Sequence, residues 1–249
     1  MRFGIIAAGQ GSRLEQEGCQ CPKPLVRLAG VPLLQRLIEQ FLQCDAERIA
    51  VIINTHQPQT ERLLDSLARV YPIDVVMKDT PSSMHSFHAL SPYLVSGEPD
   101  AGANDRFCVT TVDTVFNPVA FAGYVEAFRR SRTDGVMGVT TYVDDEKPLY
   151  VSVDDAMRIT GFHDVQGTAG SGSGQAFRHV SAGIYGLTGR ALQTLERCIG
   201  SGQSRMRAFQ RQLVADGLCL QAYDMGKVID IDHVNDIAKA ESLLQITNE

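Results

Sequence analysis

The chain has 249 residues, of which 44% are hydrophobic and 21% are charged, and its formal net charge is −6. These totals are ordinary for one globular domain, and the acidic balance argues against nucleic acid or an anionic membrane as a partner. Six cysteines are too few for a disulfide scaffold, and Cys19-x-Cys21 has no second pair at metal-site spacing, so we expect reduced thiols. With no signal peptide and no run of about 20 apolar residues, the sequence predicts a soluble, cytoplasmic protein.

The first part of the chain alternates between predicted strands and helices. Apolar runs predict buried strands at 2–8, 48–54, 73–77, 107–112 and 135–142. Helical spacing of apolar residues and possible caps predict helices that begin near Pro32, Thr60, Ser82 and Pro118. A polar loop with glycines fills 9–24. This β-α alternation predicts a parallel sheet sandwiched by helices.

The pattern changes after Asp144. We expect a hairpin of strands 149–153 and 158–162, a loop at 167–175 and a strand at 177–185. Further elements are predicted at 191–198, 206–215, 218–223, 228–231 and 234–244. We interpret 1–249 as one catalytic domain with an acceptor-side subregion around 144–185.

The loop after the first strand is suited to a triphosphate. Residues 6–14 read IAAGQGSRL, and residues 22–26 read PKPLV. Glycines let backbone N–H groups approach an anion closely, and Arg13 and Lys23 add two positive charges. A dinucleotide fingerprint does not fit because Leu14 stands where its third glycine belongs, and a Walker A sequence is absent.

Acidic residues form the second candidate feature. Asp113 follows a buried strand, where the carboxyl ends of parallel strands form a ligand crevice. Asp230 and Asp232 lie near the other end of the chain, in VIDIDHVNDIAKAE. Carboxylates of this kind suit Mg²⁺, which is held by one or two of them together with phosphate and water.

These motifs resemble those of the sugar-1-phosphate nucleotidyltransferase superfamily. Its signature is an apolar strand, A-A-G-x-G-x-R-[LM], a spacer and P-K-[PA]-L. The matching residues here are Ala7, Ala8, Gly9, Gly11, Arg13, Leu14, Pro22, Lys23, Pro24 and Leu25. Val31 departs from the family, which has a lysine in its G-K-P-L-L segment. The acidic segment near the end is most similar to the choline-phosphate and aminoethylphosphonate cytidylyltransferase branch.

The resemblance implies a three-layer α/β/α sandwich with a mostly parallel mixed sheet, and a magnesium-dependent transferase of the kind that makes NDP-sugars. It implies that Arg13 and Lys23 are catalytic, and that Asp113 and Asp232 bind Mg²⁺ with Asp230 assisting. Nucleotide-binding residues are expected to be Ala7, Ala8, Gly9, Gly11, Ser12, Arg13, Lys23, Thr80 and Ser83. Ser181 and Gly183 are expected to bind the acceptor.

The expected partners are an NTP and a phosphorylated small molecule such as a sugar 1-phosphate or phosphocholine. The sequence leaves the acceptor, the base and oligomerisation open. Three alternatives are a glycosyltransferase of related fold, a molybdenum-cofactor nucleotidyltransferase and a non-catalytic nucleotide-sensing module. A glycosyltransferase would have no reason for Arg13 and Lys23 in the first loop, and a sensing module would bind an NTP without releasing pyrophosphate.

Overall fold

The structure is a computed structural model that describes residues 1–96, 103–144, 146–166 and 177–245. Its strands are β1 (Arg2–Ile6), β2 (Arg27–Leu28), β3 (Val31–Pro32), β4 (Arg48–Ile53), β5 (Ile73–Met77), β6 (Arg106–Thr111), β7 (Thr114–Phe116), β8 (Gly135–Thr140), β9 (Tyr150–Val153), β10 (Ile159–His163), β11 (His179–Thr188), β12 (Leu220–Asp224) and β13 (Val228–Asp230). Its helices are α1 (Ser12–Gln16), α2 (Leu33–Gln43), α3 (Pro58–Ala68), α4 (Ser83–Leu94), α5 (Pro118–Arg130), α6 (Arg190–Gly200), α7 (Met206–Ala215) and α8 (Val234–Gln245).

A mixed sheet organises the chain, with the strand order β10-β9-β11-β6-β1-β4-β5 and with β8 between β11 and β12. Strands β6, β1, β4 and β5 are parallel to one another, so their carboxyl ends meet at one edge. Strand β11 runs antiparallel to β6 and β8, and the β9–β10 hairpin extends the sheet beyond it. The parallel half carries the glycine loop and Asp113, and the antiparallel half contains most of the segment 144–185 that was predicted to lie on the acceptor side.

Two hydrophobic cores lie on opposite faces of this sheet. Phe3 and Ile5 of β1 belong to one core, which α2, α3, α5 and α8 cover. Ile6 points to the other face and belongs to the core that α4, α6 and α7 cover. Successive side chains of a strand alternate between faces, and both faces here are apolar, so helices must cover both. The predicted α/β sandwich is therefore confirmed.

Most predicted elements are present within a few residues of their expected bounds. The short strands β2, β3 and β7 were not predicted, and two further expectations were wrong. Residues 12–16 form the short helix α1, although they were expected to be loop. Thr60 does not cap α3, because the helix begins at Pro58 and Thr60 is fully buried within it. Proline suits the first helical turn because the N–H that it lacks would have no helical partner there. The predicted loop at 167–175 lies outside the described residues.

The last two elements of the described chain are β13 and α8. Strand β13 pairs antiparallel with β7 in a separate small sheet, and α8 follows directly. Across the described ranges, no helix has the length and apolar character that crossing a membrane would require. The division into one domain, 1–249, stays a prediction.

Candidate active site

Two buried side-chain amides donate hydrogen bonds to backbone carbonyls of the glycine loop. Asn54 Nδ2 donates to the carbonyl oxygen of Ala8, and Gln57 Nε2 donates to that of Gly9, each at 3.1 Å. Gly11 then takes a left-handed conformation with φ of 66°, which glycine adopts without a steric penalty, and α1 begins. A Cβ on Gly11 would lie 3.2 Å from Lys23 Cβ, so the two halves of the loop are in close contact.

Four charged side chains converge beside this loop. Lys23 Nζ donates to Asp113 Oδ2 and to Asp232 Oδ1, each at 2.7 Å. Arg13 donates to the second oxygen of Asp232 at 2.9 Å. Residues from three distant parts of the sequence thus meet at one point.

The charges of this cluster stabilise one another. Burial acts to lower the pKa of Lys23, but the two aspartates outweigh it and raise that pKa. Burial acts to raise the pKa of Asp232, but the hydrogen bond and charge of Lys23, with Arg13, hold it below its usual value. Both groups are therefore charged at neutral pH.

Backbone pairing brings the two acidic segments side by side. Asp113 lies between the end of β6 and the start of β7, and β7 pairs with β13 so that Thr114 lies opposite Asp230. The N–H of Ile231 donates to the carbonyl oxygen of Asp113 at 3.0 Å. This ladder fixes Asp232, the residue that follows Ile231, next to Asp113.

Glu17 fastens the opening loop to the start of α8. Its Oε2 accepts a hydrogen bond from the N–H of Val234 at 2.8 Å, and its Oε1 pairs with His233 Nδ1 at 2.5 Å. Asp236 accepts from the backbone N–H of His233 at 2.8 Å and so orients the start of the helix. Sequence analysis did not single out Glu17, which has no motif of its own.

A cleft of about 710 Å³ lies on one side of the charged cluster. The predicted nucleotide-binding residues that line it are Ala7, Ala8, Gly9, Gly11, Lys23, Thr80 and Ser83. Ser82 caps α4 at this cleft, and the Thr80 hydroxyl lies 2.6 Å from that of Ser86. Ser12 is not among the lining residues, and Arg13 faces the cleft on the other side.

Asp79 is a cleft residue that the sequence analysis missed. It follows β5 at the carboxyl edge of the sheet, where its two oxygens accept hydrogen bonds from the N–H and hydroxyl of Thr55 at 2.9 and 2.6 Å. These bonds lower the pKa of Asp79, so it presents a carboxylate to the cleft. The end of a parallel strand was the available signal.

A second cleft, of about 320 Å³, lies on the other side of the cluster. Its carboxylates are Asp144, Glu146, Asp230, Asp232 and Asp236, and its positive or titratable groups are Arg13, Lys239 and His233. Ser181, one of the two predicted acceptor-binding residues, lines this cleft, whereas Gly183, the other, does not. Gly183 has φ of 71° and lies where the register of β11 against β8 shifts, and a Cβ there would lie 3.0 Å from Thr114 Oγ1. Its role toward an acceptor stays a prediction.

The residues present fit a divalent cation such as Mg²⁺. Asp113 and Asp232 already direct one oxygen each at a single positive group, the Lys23 ammonium. The described part of the chain contains no set of three or more His, Cys, Asp and Glu arranged for a metal. Two carboxylates are nevertheless sufficient for Mg²⁺, because substrate phosphates and water complete its shell.

The fold and site define a nucleotide-binding α/β protein with two clefts that meet at a cluster of cations and carboxylates. The chain belongs to the family of the MobA-like NTP transferase domain, which matches residues 4–216. Membership of this family confirms the superfamily that the opening motifs indicated.

Curated relatives support the same class. The chain is 23% identical over 98% of its length to the bifunctional protein GlmU of Synechococcus sp. (strain JA-3-3Ab), covering 38% of that protein. It is 25% identical over 96% of its length to the bifunctional IPC transferase and DIPP synthase of Rubrobacter xylanophilus, covering 51%. The chain thus spans about half or less of these relatives.

A solved structure shares the fold. The inositol-1-phosphate CTP transferase from T. maritima superposes with a TM-score of 0.78 and 22% identity, over 100% of this chain and 97% of that one. At this identity, the similarity shows a shared fold. The substrates of the present chain have to be inferred from its own residues.

Proposed function

We propose that the chain transfers an NMP unit from an NTP to a phosphorylated small molecule, with release of pyrophosphate and with Mg²⁺ as cofactor. One observation carries the proposal: Arg13, Lys23, Asp113 and Asp232 meet where the two clefts join. A nucleotide in the larger cleft and an acceptor in the smaller one would have their phosphates at this junction.

Positioning and charge are the main demands of this reaction. An acceptor phosphate has its second pKa near 6, so it is already a dianion at neutral pH and needs no general base. Its oxygen attacks the α-phosphorus of the NTP in line, and the pyrophosphate oxygen leaves. Arg13 and Lys23 bind phosphate oxygens, offset the repulsion between the two anions and stabilise charge in the transition state. When bound by Asp113 and Asp232, Mg²⁺ would add Lewis-acid stabilisation of the phosphoryl oxygens.

The loop and the cleft residues hold the nucleotide. Backbone N–H groups of Ala8 to Gly11 face the phosphates, and the hydroxyl of Ser83, with the carboxylate of Asp79, is available to the nucleoside. Arg13 faces the acceptor cleft and therefore acts on the incoming phosphate rather than on the far end of the triphosphate.

The smaller cleft, proposed to hold the acceptor, suits a molecule that carries hydrogen-bond donors in addition to its phosphate group. Its carboxylates accept hydrogen bonds from hydroxyls or from an amine, and Ser181 can donate or accept. We propose a sugar or polyol phosphate as the acceptor, in line with the inositol-1-phosphate CTP transferase that shares the fold. A cationic acceptor such as phosphocholine, whose quaternary ammonium group has a fixed positive charge, is the second candidate, because the carboxylates outnumber the cations in this cleft.

A substrate matrix tests the reaction. The four common NTPs are combined with hexose 1-phosphates, inositol 1-phosphate, phosphocholine, 2-aminoethylphosphonate and a pterin phosphate, with Mg²⁺, and pyrophosphate is measured. We expect one acceptor class to release pyrophosphate. Turnover with the pterin phosphate alone would instead identify a molybdenum-cofactor nucleotidyltransferase. Tight NTP binding with no pyrophosphate from any acceptor would contradict transfer and favour the sensing module.

Substitutions test the residue roles. We expect Lys23→Ala and Asp113→Ala to fold and to lose at least about 100-fold in turnover, because removing one such charge-stabilising group commonly costs about 2.7–4 kcal/mol. Lys78→Ala is the matched control, since Lys78 is exposed and outside both clefts, and it should keep wild-type turnover. Near-normal turnover of Lys23→Ala would remove that lysine from the mechanism.

A further inference from the structure

Two cysteines lie between the two catalytic cations of the opening loop. Cys19 and Cys21 are both free and partly buried, and their Sγ atoms lie 3.5 Å apart in a hydrogen bond. A disulfide requires an S–S distance of about 2.05 Å, so the two sulfur atoms would have to approach each other by about 1.5 Å.

The backbone on each side of the pair is tied to a catalytic residue. The N–H of Cys19 donates to the carbonyl oxygen of Leu14 at 2.9 Å, which holds it against the helix that carries Arg13. The carbonyl oxygen of Pro22, which follows Cys21, accepts from the N–H of Leu25 at 2.8 Å and closes the turn that carries Lys23. A backbone shift that accompanies closure of the disulfide would therefore be passed to the segments that carry Arg13 and Lys23.

We propose that Cys19 and Cys21 form a reversible disulfide and that this modification lowers nucleotidyl transfer by displacing Lys23 and Arg13. A small-molecule disulfide, R–S–S–R, is the oxidant. The Cys19 thiolate attacks it to give a mixed disulfide and R–SH. The Cys21 sulfur then attacks Cys19 Sγ and releases a second R–SH. The two cysteine protons end on the two released thiols, and two electrons pass to the oxidant.

A cavity gives such a reagent access to the pair. It measures about 570 Å³ and is lined by both cysteines together with Leu25, Arg27, Leu63 and Ile237. Arg27 adds a positive charge that favours an anionic reagent such as glutathione disulfide. Burial and the neighbouring Cys19 thiol raise the pKa of Cys21 to about 11.

The first experiment identifies the bond and does not depend on activity. The full chain is treated with glutathione disulfide, and the tryptic peptide 14–27 is examined by mass spectrometry without reduction. We expect this peptide to lose the mass of two hydrogens and to regain it with dithiothreitol. A stable glutathione adduct on this peptide, or a disulfide formed elsewhere in its place, would overturn the proposal.

The second experiment measures the consequence and rests on the proposed function. Turnover in the best substrate pair should fall by about 10- to 100-fold on oxidation and recover on reduction, since a displacement of about 1 Å can cost on the order of 100-fold. Cys19→Ser and Cys21→Ser should keep their turnover in the presence of the oxidant. Cys219→Ser is the matched control, because Cys219 is an exposed thiol, and it should respond like the wild type.

The two readouts separate the possible failures. A mapped Cys19–Cys21 disulfide with unchanged turnover would overturn the link to catalysis. If no substrate pair gives turnover, the proposed reaction fails, but the mass readout still decides whether the disulfide forms. In that case the effect on the loop is measured as a loss of affinity for the Mg²⁺–NTP complex, and unchanged affinity would overturn it.

Discussion

Gly11 is the residue at which backbone conformation and catalytic geometry depend on each other. Its φ of 66° lies in the left-handed region, and a Cβ there would come 3.2 Å from Lys23 Cβ. We expect Gly11→Ala to lose about 1–2 kcal/mol of unfolding free energy, the usual cost of that conformation for an L-residue. Its turnover should fall at least about 10-fold, since a shift of Lys23 by a fraction of an ångström misplaces the charge.

Gly18 provides a matched control for this substitution. It lies in the same loop and has φ of 92°, but a Cβ added there has no heavy atom within 4 Å. Gly18→Ala should therefore lose similar stability in a denaturant titration and keep its turnover. Equal turnover in the two variants would show that contact between Gly11 and Lys23 is unimportant.

Sequence reasoning at this scale found residues that belong to motifs and missed those that act through tertiary contacts. Arg13, Lys23 and Asp113 were named because their residue types and positions have a chemical meaning, and Asp232 was selected over Asp230 through the family resemblance. Glu17 was missed because its partners, His233 and the N–H of Val234, are more than 200 residues away. No local pattern records such a contact.

Among the elements, the α6–α7 pair depends on one partly buried carboxylate. Asp216 accepts hydrogen bonds from Thr194 at 2.6 Å and Gln212 at 2.7 Å and also pairs with Arg197. These contacts hold the pKa of Asp216 below its usual value of 3.8. A native pKa below the unfolded one stabilises the fold at pH values above the unfolded pKa, and this stabilisation is lost as pH falls through the native pKa.

We therefore expect Asp216→Asn to destabilise the chain by about 1.5–3 kcal/mol at pH 7, the range for hydrogen bonds to a charged group. The loss should be the same at pH 5 and smaller at pH 3. Denaturant unfolding at the three pH values measures it. Asp65→Asn, at an exposed position on α3, is the control and should change stability little at any of them. A loss that grows as pH falls would contradict the assignment.

Most elements could be predicted because their signals are local. Apolar runs marked β4 and β5, and Ser82 marked the start of α4. Helix α1 was missed because five residues are too few to show helical periodicity. Thr60 was mistaken for a cap because its residue type suits that role, whereas Pro58 sets the start of the helix and Thr60 is buried inside it.

At the scale of the whole molecule, the site exists only when distant parts of the chain have folded together. The pairing of β7 with β13 joins residues more than 100 positions apart, and Lys23 connects both aspartates to the opening loop. The alternation of elements could predict the parallel sheet, and the resemblance could name the two aspartates. The depth of the two clefts and their junction depend on packing that local patterns do not encode.

Because the site requires the complete fold, a ligand bound there should stabilise the whole chain against unfolding. A ligand at about 100 times its Kd adds about 2.7 kcal/mol, provided that it binds the native state alone. For a chain of this size, each kcal/mol raises Tm by about 2–4 °C, so the correct NTP with Mg²⁺ should raise Tm by roughly 5–10 °C.

Chelation by EDTA should remove most of this shift, since the triphosphate would then meet Asp113 and Asp232 without a bridging cation. Asp232→Asn should show a smaller metal-dependent shift, while Asp65→Asn should match the wild type. An equal Tm shift with and without Mg²⁺, measured by calorimetry at a fixed NTP concentration, would show that the two aspartates do not hold a metal for the nucleotide.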